Sequence, residues 1–178
     1  SRGLGDVYKR QFLHIAKAAV SGGDLPAEKA DWPAIFTLAN QQKLLPILFE
    51  AARKTPAAAE NAALFAVTKQ QVIGQVLNQT VRSAEFADLY HKLRTAGLHP
   101  IVVKGQLCSR LYPLKDHRIS ADDDLLIPDG EFMACHEQLL TNGLTTDTPV
   151  DELATADEVS YTKNGSPLYI ELHRHCLL

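Results

Sequence analysis

Three consecutive aspartates precede a short apolar run in the stretch Ser120-Ala121-Asp122-Asp123-Asp124-Leu125-Leu126-Ile127-Pro128. The apolar run and the proline after it predict a β-strand over residues 122–127. Because side chains alternate between the two faces of a strand, Asp122 and Asp124 are expected on one face and Asp123 on the other. Two carboxylates this close repel each other, and a divalent cation relieves the repulsion. The stretch therefore predicts a metal-binding pair, with an acidic turn before a buried strand as the alternative.

A further carboxylate lies on a predicted strand near the end of the sequence. Residues 158–163 and 167–173 predict two strands joined by Asn164-Gly165, a dipeptide typical of hairpin turns. Alternation on the later strand places three polar side chains on one face: Tyr169, Glu171 and His173. Two aspartates and a glutamate on neighbouring strands form the oxygen-rich set that Mg²⁺ prefers, and a pair of such ions can clamp an in-line displacement. The alternative for Glu171 is a solvated charge on a strand.

A lysine and a glycine end the first strand predicted in the second half of the chain. Residues 99–104 form a β-branched run, and residues 106–112 predict the helix that follows it. Gly105 at this junction allows close approach of the backbone, and the start of the helix offers free N–H groups to a phosphate. Lys104 adds a positive charge, although a Lys-Gly pair also occurs in ordinary turns.

Histidines and cysteines suggest other chemistries. His173 and His175 form an H-x-H motif, which together with Glu171 suggests a zinc hydrolase; the alternative is a strand-end histidine that supports a carboxylate or contacts water. The chain has three cysteines, Cys108, Cys135 and Cys176, without a Cys-x-x-Cys pair. This pattern predicts buried or half-buried thiols in a reducing compartment. No partner histidine is identifiable for Cys108, which disfavours a cysteine nucleophile.

The composition predicts a globular protein. The 178 residues are 46% hydrophobic, which excludes disorder, and the net charge of −3 does not suggest a general affinity for nucleic acid or anionic membranes. No apolar run reaches the roughly 20 residues that a membrane-spanning helix needs, and no signal peptide is recognisable. We therefore expect a soluble, cytoplasmic protein.

Two regions differ in their periodicity. Residues 12–97 are helical in pattern, with an N-cap at Asp31 and one long or two joined helices from about residue 56 to Gly97. Residues 98–178 alternate strand and helix patterns in the order β-α-β-α-β-β. The sequence thus predicts an α+β protein, a helical subdomain followed by a small mixed sheet. Residues 6–11 resemble the translated end of a sequencing adapter, so residues 1–11 are expected to be a non-native leader.

Several motifs occur in a fixed order: Val102-Val103-Lys104-Gly105, Leu111-Tyr112-Pro113, Arg118 ahead of the three aspartates, and Ile170-Glu171-Leu172-His173. Together with Leu44-Leu45-Pro46 in the helical region, they resemble the uncharacterised nucleotidyltransferase family of the polymerase-β superfamily. The resemblance extends over residues 31–178.

This resemblance implies a polymerase-β-type fold and a specific reaction. A nucleoside monophosphate would pass from a nucleoside triphosphate, with ATP as the expected donor, to an unknown acceptor, and pyrophosphate would be released. Asp122, Asp124 and Glu171 would be the catalytic carboxylates and would bind Mg²⁺ or Mn²⁺, with Glu171 helping to deprotonate an acceptor hydroxyl. The resemblance assigns contacts with the nucleotide to Lys104, Gly105 and Arg118.

Two departures from the family pattern leave a second hypothesis. Asp123 replaces an apolar residue and adds charge where the family packs its core. The sequence ends soon after Glu171, where family members continue, so the nucleotidyltransferase core is expected to be incomplete at its C-terminus. The alternative is therefore a non-catalytic module of the same fold that binds a nucleotide or a partner.

Overall fold

The structure is a computed structural model, and it describes residues 2–23, 25 and 30–175, with only the backbone of residues 2–8. The chain divides into two compact units. The helical unit contains Ser1–Leu77 and Tyr112–Ile119, and the sheet unit contains Asn78–Leu111 and Ser120–Leu178. These units group residues by mutual contact rather than by independent folding, so the domain boundaries at residues 12, 97 and 98 stay a prediction.

The helical unit packs its helices around aromatic side chains. Its helices are α1 (Arg2–Ser21), α2 (Trp32–Gln41), α3 (Leu45–Ala52), α4 (Ala57–Glu60) and the first part of α5 (Ala62–Thr95). The predicted N-cap is confirmed, because the Ala34 N–H donates to Asp31 Oδ1 at 3.1 Å. Five ring pairs among Trp32, Phe36, Phe49 and Phe65 have centroids between 5.2 and 6.2 Å apart, which places an aromatic cluster in this core.

Helix α5 ends close to Gly97, as the sequence predicted. Gly97 has a φ of +83°, and its N–H donates to the Arg94 carbonyl at 3.1 Å. The Leu98 N–H donates to the Leu93 carbonyl at 3.1 Å, and both leucine side chains are buried in the core of the sheet unit. This pattern is a Schellman C-cap, in which the left-handed glycine reverses the chain towards the first strand.

The sheet unit combines helices with a five-stranded mixed sheet, which confirms the predicted α+β class. After α5 its elements are β1 (Ile101–Val103), α6 (Gly105–Ser109), β2 (Asp123–Leu126), α7 (Phe132–Thr141), β3 (Leu144–Thr145), β4 (Glu158–Lys163) and β5 (Tyr169–His173). The strand order is β1-β2-β5-β4-β3. Strands β2 and β5 are parallel, whereas the other neighbouring pairs are antiparallel.

Several elements differ from their predicted extents. The helix predicted to reach residue 112 ends at Ser109. The 3₁₀ turn Asp129–Glu131 leads directly into α7. The hairpin between β4 and β5 is confirmed, with Gly165 at a φ of +72°. Strand β3 was not predicted, because a strand of two residues is too short to show an alternation of polar and apolar side chains.

The sheet buries one face against helices. Leu125 and Ile127 from the β2 segment and Ile170 and Leu172 from β5 belong to one buried cluster, which also contains Phe132 of α7. The other face of β2 and β5 is therefore where polar side chains of this sheet unit collect.

Among the described residues, no helix is both long and apolar enough to cross a bilayer.

Candidate active site

Asp123 and Asp124 lie on opposite faces of β2, as the alternation of side chains predicted. Asp123 is fully buried on the face that also carries Leu125 into the core. Asp124 is 3% exposed and contacts Lys104 and His173 on the opposite face. Asp122 is half-buried and immediately precedes β2. The predicted separation of Asp123 from Asp124 is therefore confirmed.

Parallel pairing of β2 with β5 brings two of the predicted acids together. Asp124 is the register partner of Glu171. His173 Nε2 lies 3.2 Å from Asp124 Oδ1 and 3.9 Å from Glu171 Oε2. One potential ligand atom from each of these three residues lies within 4.8 Å of the others. Two carboxylates and an imidazole so placed fit a single divalent cation.

Burial and neighbouring acids change the pKa of Glu171. The pKa of Glu171 is raised above its ordinary value, first by burial and then by the negative charges of Glu158, Asp122 and Asp124. His173 acts in the opposite direction. Asp122 therefore contributes to the electrostatics of the site, although it is outside the group of three ligand atoms. A cation would neutralise this concentration of negative charge.

His173 also has a carboxylate on its other side. Its Nδ1 lies 3.5 Å from Glu158 Oε2, and Glu158 is its register partner on β4. Metal-ligating histidines commonly have a carboxylate beyond the ring nitrogen that does not bind the metal, because it fixes the tautomer and the ring orientation. The contact with Asp124 agrees with the interpretation of His173 as a histidine that supports a carboxylate.

The H-x-H interpretation is not supported by the placement of the second histidine. His175 is exposed, and its Nε2 lies 4.0 Å from Asp157 Oδ1. Within the described part of the chain, the group of potential metal ligands contains His173 but not His175. A zinc hydrolase that uses both histidines as ligands therefore has no geometric basis among these residues.

Lys104 lies beside the acids in an unusual backbone conformation. Its φ is +52° and its ψ is −121°, a region that side-chain-bearing residues rarely adopt. Its Nζ is 3.4 Å from Asp124 Oδ1, and its side chain is 69% exposed. A charged group at a strained position next to buried acids is typical of functional sites. A contact between Lys104 and a phosphate stays a prediction.

Gly105 permits a close approach of the backbone, as predicted, and the segment that approaches it is the one that carries the aspartates. A Cβ at this position would lie 3.0 Å from Asp123 Oδ1 and 3.5 Å from the Asp122 carbonyl oxygen. The glycine therefore lets the start of α6 approach the β2 segment closely. A contact between Gly105 and a nucleotide stays a prediction.

Asp123 has a buried partner that sequence reasoning missed. Arg82 of α5 donates from Nε to Asp123 Oδ2 at 2.7 Å, and Gln106 donates to Asp123 Oδ1 at 3.0 Å. Arg82 is 4% exposed and Asp123 is fully buried, so the buried charge of Asp123 is compensated inside the sheet unit. The sequence contained only an indirect indication of this partner, because an aspartate at a core-facing position of a strand requires a buried cation.

The other residues singled out in the sequence are Arg118 and the three cysteines. Arg118 follows the 3₁₀ turn Lys115–His117 and belongs to the helical unit, so its contact with the nucleotide stays a prediction. Cys108 is half-buried and Cys135 is buried, as predicted, whereas Cys176 lies outside the described residues. Burial raises the pKa of the Cys135 thiol to about 12, which makes it a poor nucleophile.

Comparison with known protein families tests the resemblance that the motifs indicated. A family model described as "Uncharacterised nucleotidyltransferase" matches residues 28–178, which is most of the chain and includes Asp122, Asp124, Glu171 and His173. The protein belongs to this nucleotidyltransferase family. No curated protein and no solved structure matches the chain significantly. The resemblance drawn from the motifs is therefore confirmed at the level of the family.

Family membership gives the site of this nucleotidyltransferase a chemical context. Nucleotidyl transfer moves negatively charged phosphates, and its catalysis consists mainly of positioning and electrostatic stabilisation. The group of Asp124, Glu171 and His173 offers ligands for a divalent cation, and Lys104 offers a positive charge beside them. The described residues thus offer two kinds of group that can stabilise phosphate charge.

Proposed function

We propose that this nucleotidyltransferase transfers a nucleoside monophosphate from a nucleoside triphosphate, with ATP as the donor, to an acceptor hydroxyl. The proposal rests chiefly on the pairing of Asp124 with Glu171 across β2 and β5 in a chain of this family. We also propose that the sheet unit has the polymerase-β type of nucleotidyltransferase fold, since the parallel β2–β5 pair presents the acids on one face.

The proposed cation is Mg²⁺ or Mn²⁺. Asp124 and Glu171 would supply carboxylate oxygens and His173 a nitrogen of the same group. Asp122, whose charge acts on Glu171, would supply a further carboxylate. Carboxylate oxygens suit Mg²⁺ and Mn²⁺, whereas an imidazole nitrogen shifts the preference towards a transition-metal ion. When bound, the cation would offset the charge of the triphosphate and lower the pKa of the acceptor hydroxyl.

In the proposed reaction, the acceptor oxygen forms a bond to the α-phosphorus of the triphosphate. The bond between that phosphorus and the oxygen that bridges to the β-phosphate breaks, and pyrophosphate leaves with this oxygen. In this proposal Glu171 takes the acceptor proton, because its carboxylate belongs to the group that would hold the cation beside the acceptor hydroxyl.

Cationic and backbone groups complete the proposed site. Lys104 and Arg118 would offset phosphate charge, and backbone N–H groups near Gly105 would donate to phosphate oxygens. Support for Lys104 comes from its 3.4 Å approach to Asp124, which places its ammonium group beside the proposed cation ligands.

The test replaces one carboxylate at a time. Asp122→Asn and Asp124→Asn should each lower turnover by about 10²-fold or more, because the lost charge acts on the transition state. Turnover is followed as pyrophosphate release from ATP and Mg²⁺, and triphosphate binding by calorimetry. The matched control is Asp88→Asn, which removes an exposed α5 carboxylate paired with Lys92. Unchanged turnover in both site variants, with each variant folded, would reject the assignment of the acids.

The same titrations separate the enzyme from the alternative binding module. Calorimetry with ATP in the presence and absence of Mg²⁺ measures whether triphosphate binding depends on the metal. Metal-dependent binding without pyrophosphate release, whatever the acceptor supplied, would favour a module that binds the nucleotide and does not react. Release that stops when Asp124 is replaced would favour the transferase.

A further inference from the structure

A single buried arginine connects the two acid-bearing strands. Besides its 2.7 Å bond to Asp123, Arg82 donates from Nη1 to the Ser120 carbonyl at 3.0 Å and from Nη2 to the Tyr169 carbonyl at 3.1 Å. Ser120 leads into β2, and Tyr169 is the first residue of β5. The planar guanidinium thus bonds a carboxylate and two backbone segments at once, a geometry that lysine cannot reproduce.

The two carbonyls have equivalent positions relative to the acids. Ser120 lies two residues before Asp122, and Tyr169 lies two residues before Glu171. In β5 the backbone repeats every two residues, so holding the Tyr169 carbonyl positions Glu171. Ser120 lies before β2 and is linked to Asp122 by a local turn, in which Ser120 Oγ donates to the Asp122 carbonyl. The guanidinium therefore sets the spacing between the two segments that present carboxylates to the site.

Asp122 depends on this anchor more than Asp124 does. The ladder of β2 begins at Asp123, so Asp122 lies before the strand pairing that holds Asp124. The bonds that hold its segment include Arg82 to the Ser120 carbonyl, the Ser120 N–H to Gln79 Oε1 at 2.9 Å, and Ser120 Oγ to the Asp122 carbonyl at 2.8 Å. Gln79 is 5% exposed and lies one turn before Arg82 on α5.

We propose that Arg82 is a positioning residue of the active site: its guanidinium, held by Asp123, fixes Ser120 and Tyr169 and thereby the placement of Asp122 and Glu171. This inference rests on the proposed function for its consequence, which is cation affinity. It also gives Asp123 a role, because the carboxylate that departs from the family pattern orients the guanidinium. Arg82 itself touches neither substrate nor cation in this proposal.

The first experiment compares two arginine-to-lysine variants of the full chain. Arg82→Lys keeps the charge but loses the forked contacts. Arg174→Lys is the matched control, because Arg174 donates to the Ala156 and Leu153 carbonyls, at 2.8 Å each, from a side chain that is 12% exposed. Binding of Mn²⁺ alone is measured by paramagnetic resonance titration. Arg82→Lys is expected to weaken Mn²⁺ binding by about tenfold or more, and Arg174→Lys by less than about twofold.

A double variant protects the test against misfolding. Arg82→Met with Asp123→Leu removes both buried charges together, which is often tolerated where removal of one partner is not. The double variant is expected to fold, as judged by a cooperative urea transition, and to show the same loss of Mn²⁺ affinity. A folded double variant that binds Mn²⁺ like the parent would overturn the proposal.

A metal-independent measurement distinguishes failure of this inference from failure of the proposed function. In Arg82→Lys, backbone amides of residues 120–124 are expected to exchange with solvent about tenfold faster, while those of β4 stay protected. If the parent binds no Mn²⁺ and exchange still accelerates only there, the assignment of the metal fails and the anchoring role of Arg82 stands. Exchange equal to that of the parent in a folded variant would overturn the anchoring role.

Discussion

At the residue scale, His173 gives the site a nitrogen donor that a set of three carboxylates lacks. His173→Gln is expected to weaken Mn²⁺ binding by about tenfold, whereas Mg²⁺ binding should change by less than about threefold, because Mg²⁺ gains little from an imidazole. Paramagnetic resonance gives the Mn²⁺ affinity, and competition with Mg²⁺ gives the second affinity. His175→Gln is the control, since it removes the exposed member of the same H-x-H motif. Equal losses for both ions would contradict a nitrogen ligand.

The backbone of Lys104 permits a test that separates strain from charge. Its φ of +52° is costly for any residue with a Cβ, whereas glycine adopts it freely. Lys104→Gly and Lys104→Ala both remove the ammonium group, but only glycine relieves the strain. Lys104→Gly should therefore be more stable to urea than Lys104→Ala by about 1 kcal/mol. If the alanine variant were the more stable, the strained conformation would be wrong.

The sequence allowed prediction of the acids but not of their support. Alternation along two strands was sufficient to place Asp124 and Glu171 on matching faces, because a period of two is a local property. Arg82 lies 41 residues from Asp123, and nothing local distinguishes it from a solvated helix charge. Its role follows from packing of α5 against the β2 segment, which only the three-dimensional structure shows.

At the element scale, replacement of glycine by alanine should have opposite effects on the free energy of unfolding in α5 and in α6. Gly74 lies at an exposed position within α5, and a Cβ there would meet nothing within 4 Å. Gly74→Ala should raise the free energy of unfolding by about 0.5–1 kcal/mol, because alanine loses less backbone entropy in a helix. Urea denaturation measures the change. A loss of stability would indicate an unrecognised requirement for glycine in α5.

Gly105→Ala should instead destabilise the protein by about 1–3 kcal/mol, because overpacking forces neighbours to move. The added Cβ would lie 3.0 Å from Asp123 Oδ1, and that carboxylate is held by Arg82 and Gln106. The same urea experiment measures the loss. If Gly105→Ala were as stable as the parent, the start of α6 could not lie this close to β2.

Elements with explicit end signals were predictable, and those without them were not. Gly97 and the Asn164-Gly165 turn ended α5 and β4 where expected, since both glycines have a positive φ. The helix after Gly105 was predicted to include Leu111, but α6 ends at Ser109 and Leu111 is 81% exposed. Apolar residues extend a helix only where its face finds a partner, and the sequence does not show that partner.

At the scale of the whole molecule, the division into units follows contacts that periodicity does not reveal. The pattern of α5 is continuous, yet its residues up to Leu77 belong to the helical unit and those from Asn78 to the sheet unit. Residues 112–119 return to the helical unit although elements of the sheet unit precede and follow them. Periodicity along the sequence therefore predicted the class of fold, whereas the assignment of segments to units required the tertiary contacts.

Stability of the whole chain should depend on pH through a histidine of the helical unit. Burial lowers the pKa of His117 below its ordinary value of 6.5, and Arg53 acts in the same direction. Glu50 and Asp116 oppose this shift. Below pH 6.5 the unfolded chain therefore binds a proton at His117 that the folded chain does not. As the pH decreases further, the free energy of unfolding falls until the pH passes the folded-state pKa of His117.

His117→Gln removes this contribution and leaves the other titrating groups in place. Urea denaturation of both proteins between about pH 5 and pH 8 gives the difference in their free energies of unfolding. The parent should gain stability relative to the variant as the pH rises through this window. At the upper end His117 is neutral in both the folded and the unfolded state, so its protonation no longer favours unfolding. A difference that stayed constant, or that favoured the parent more at acidic pH, would contradict a lowered pKa for His117.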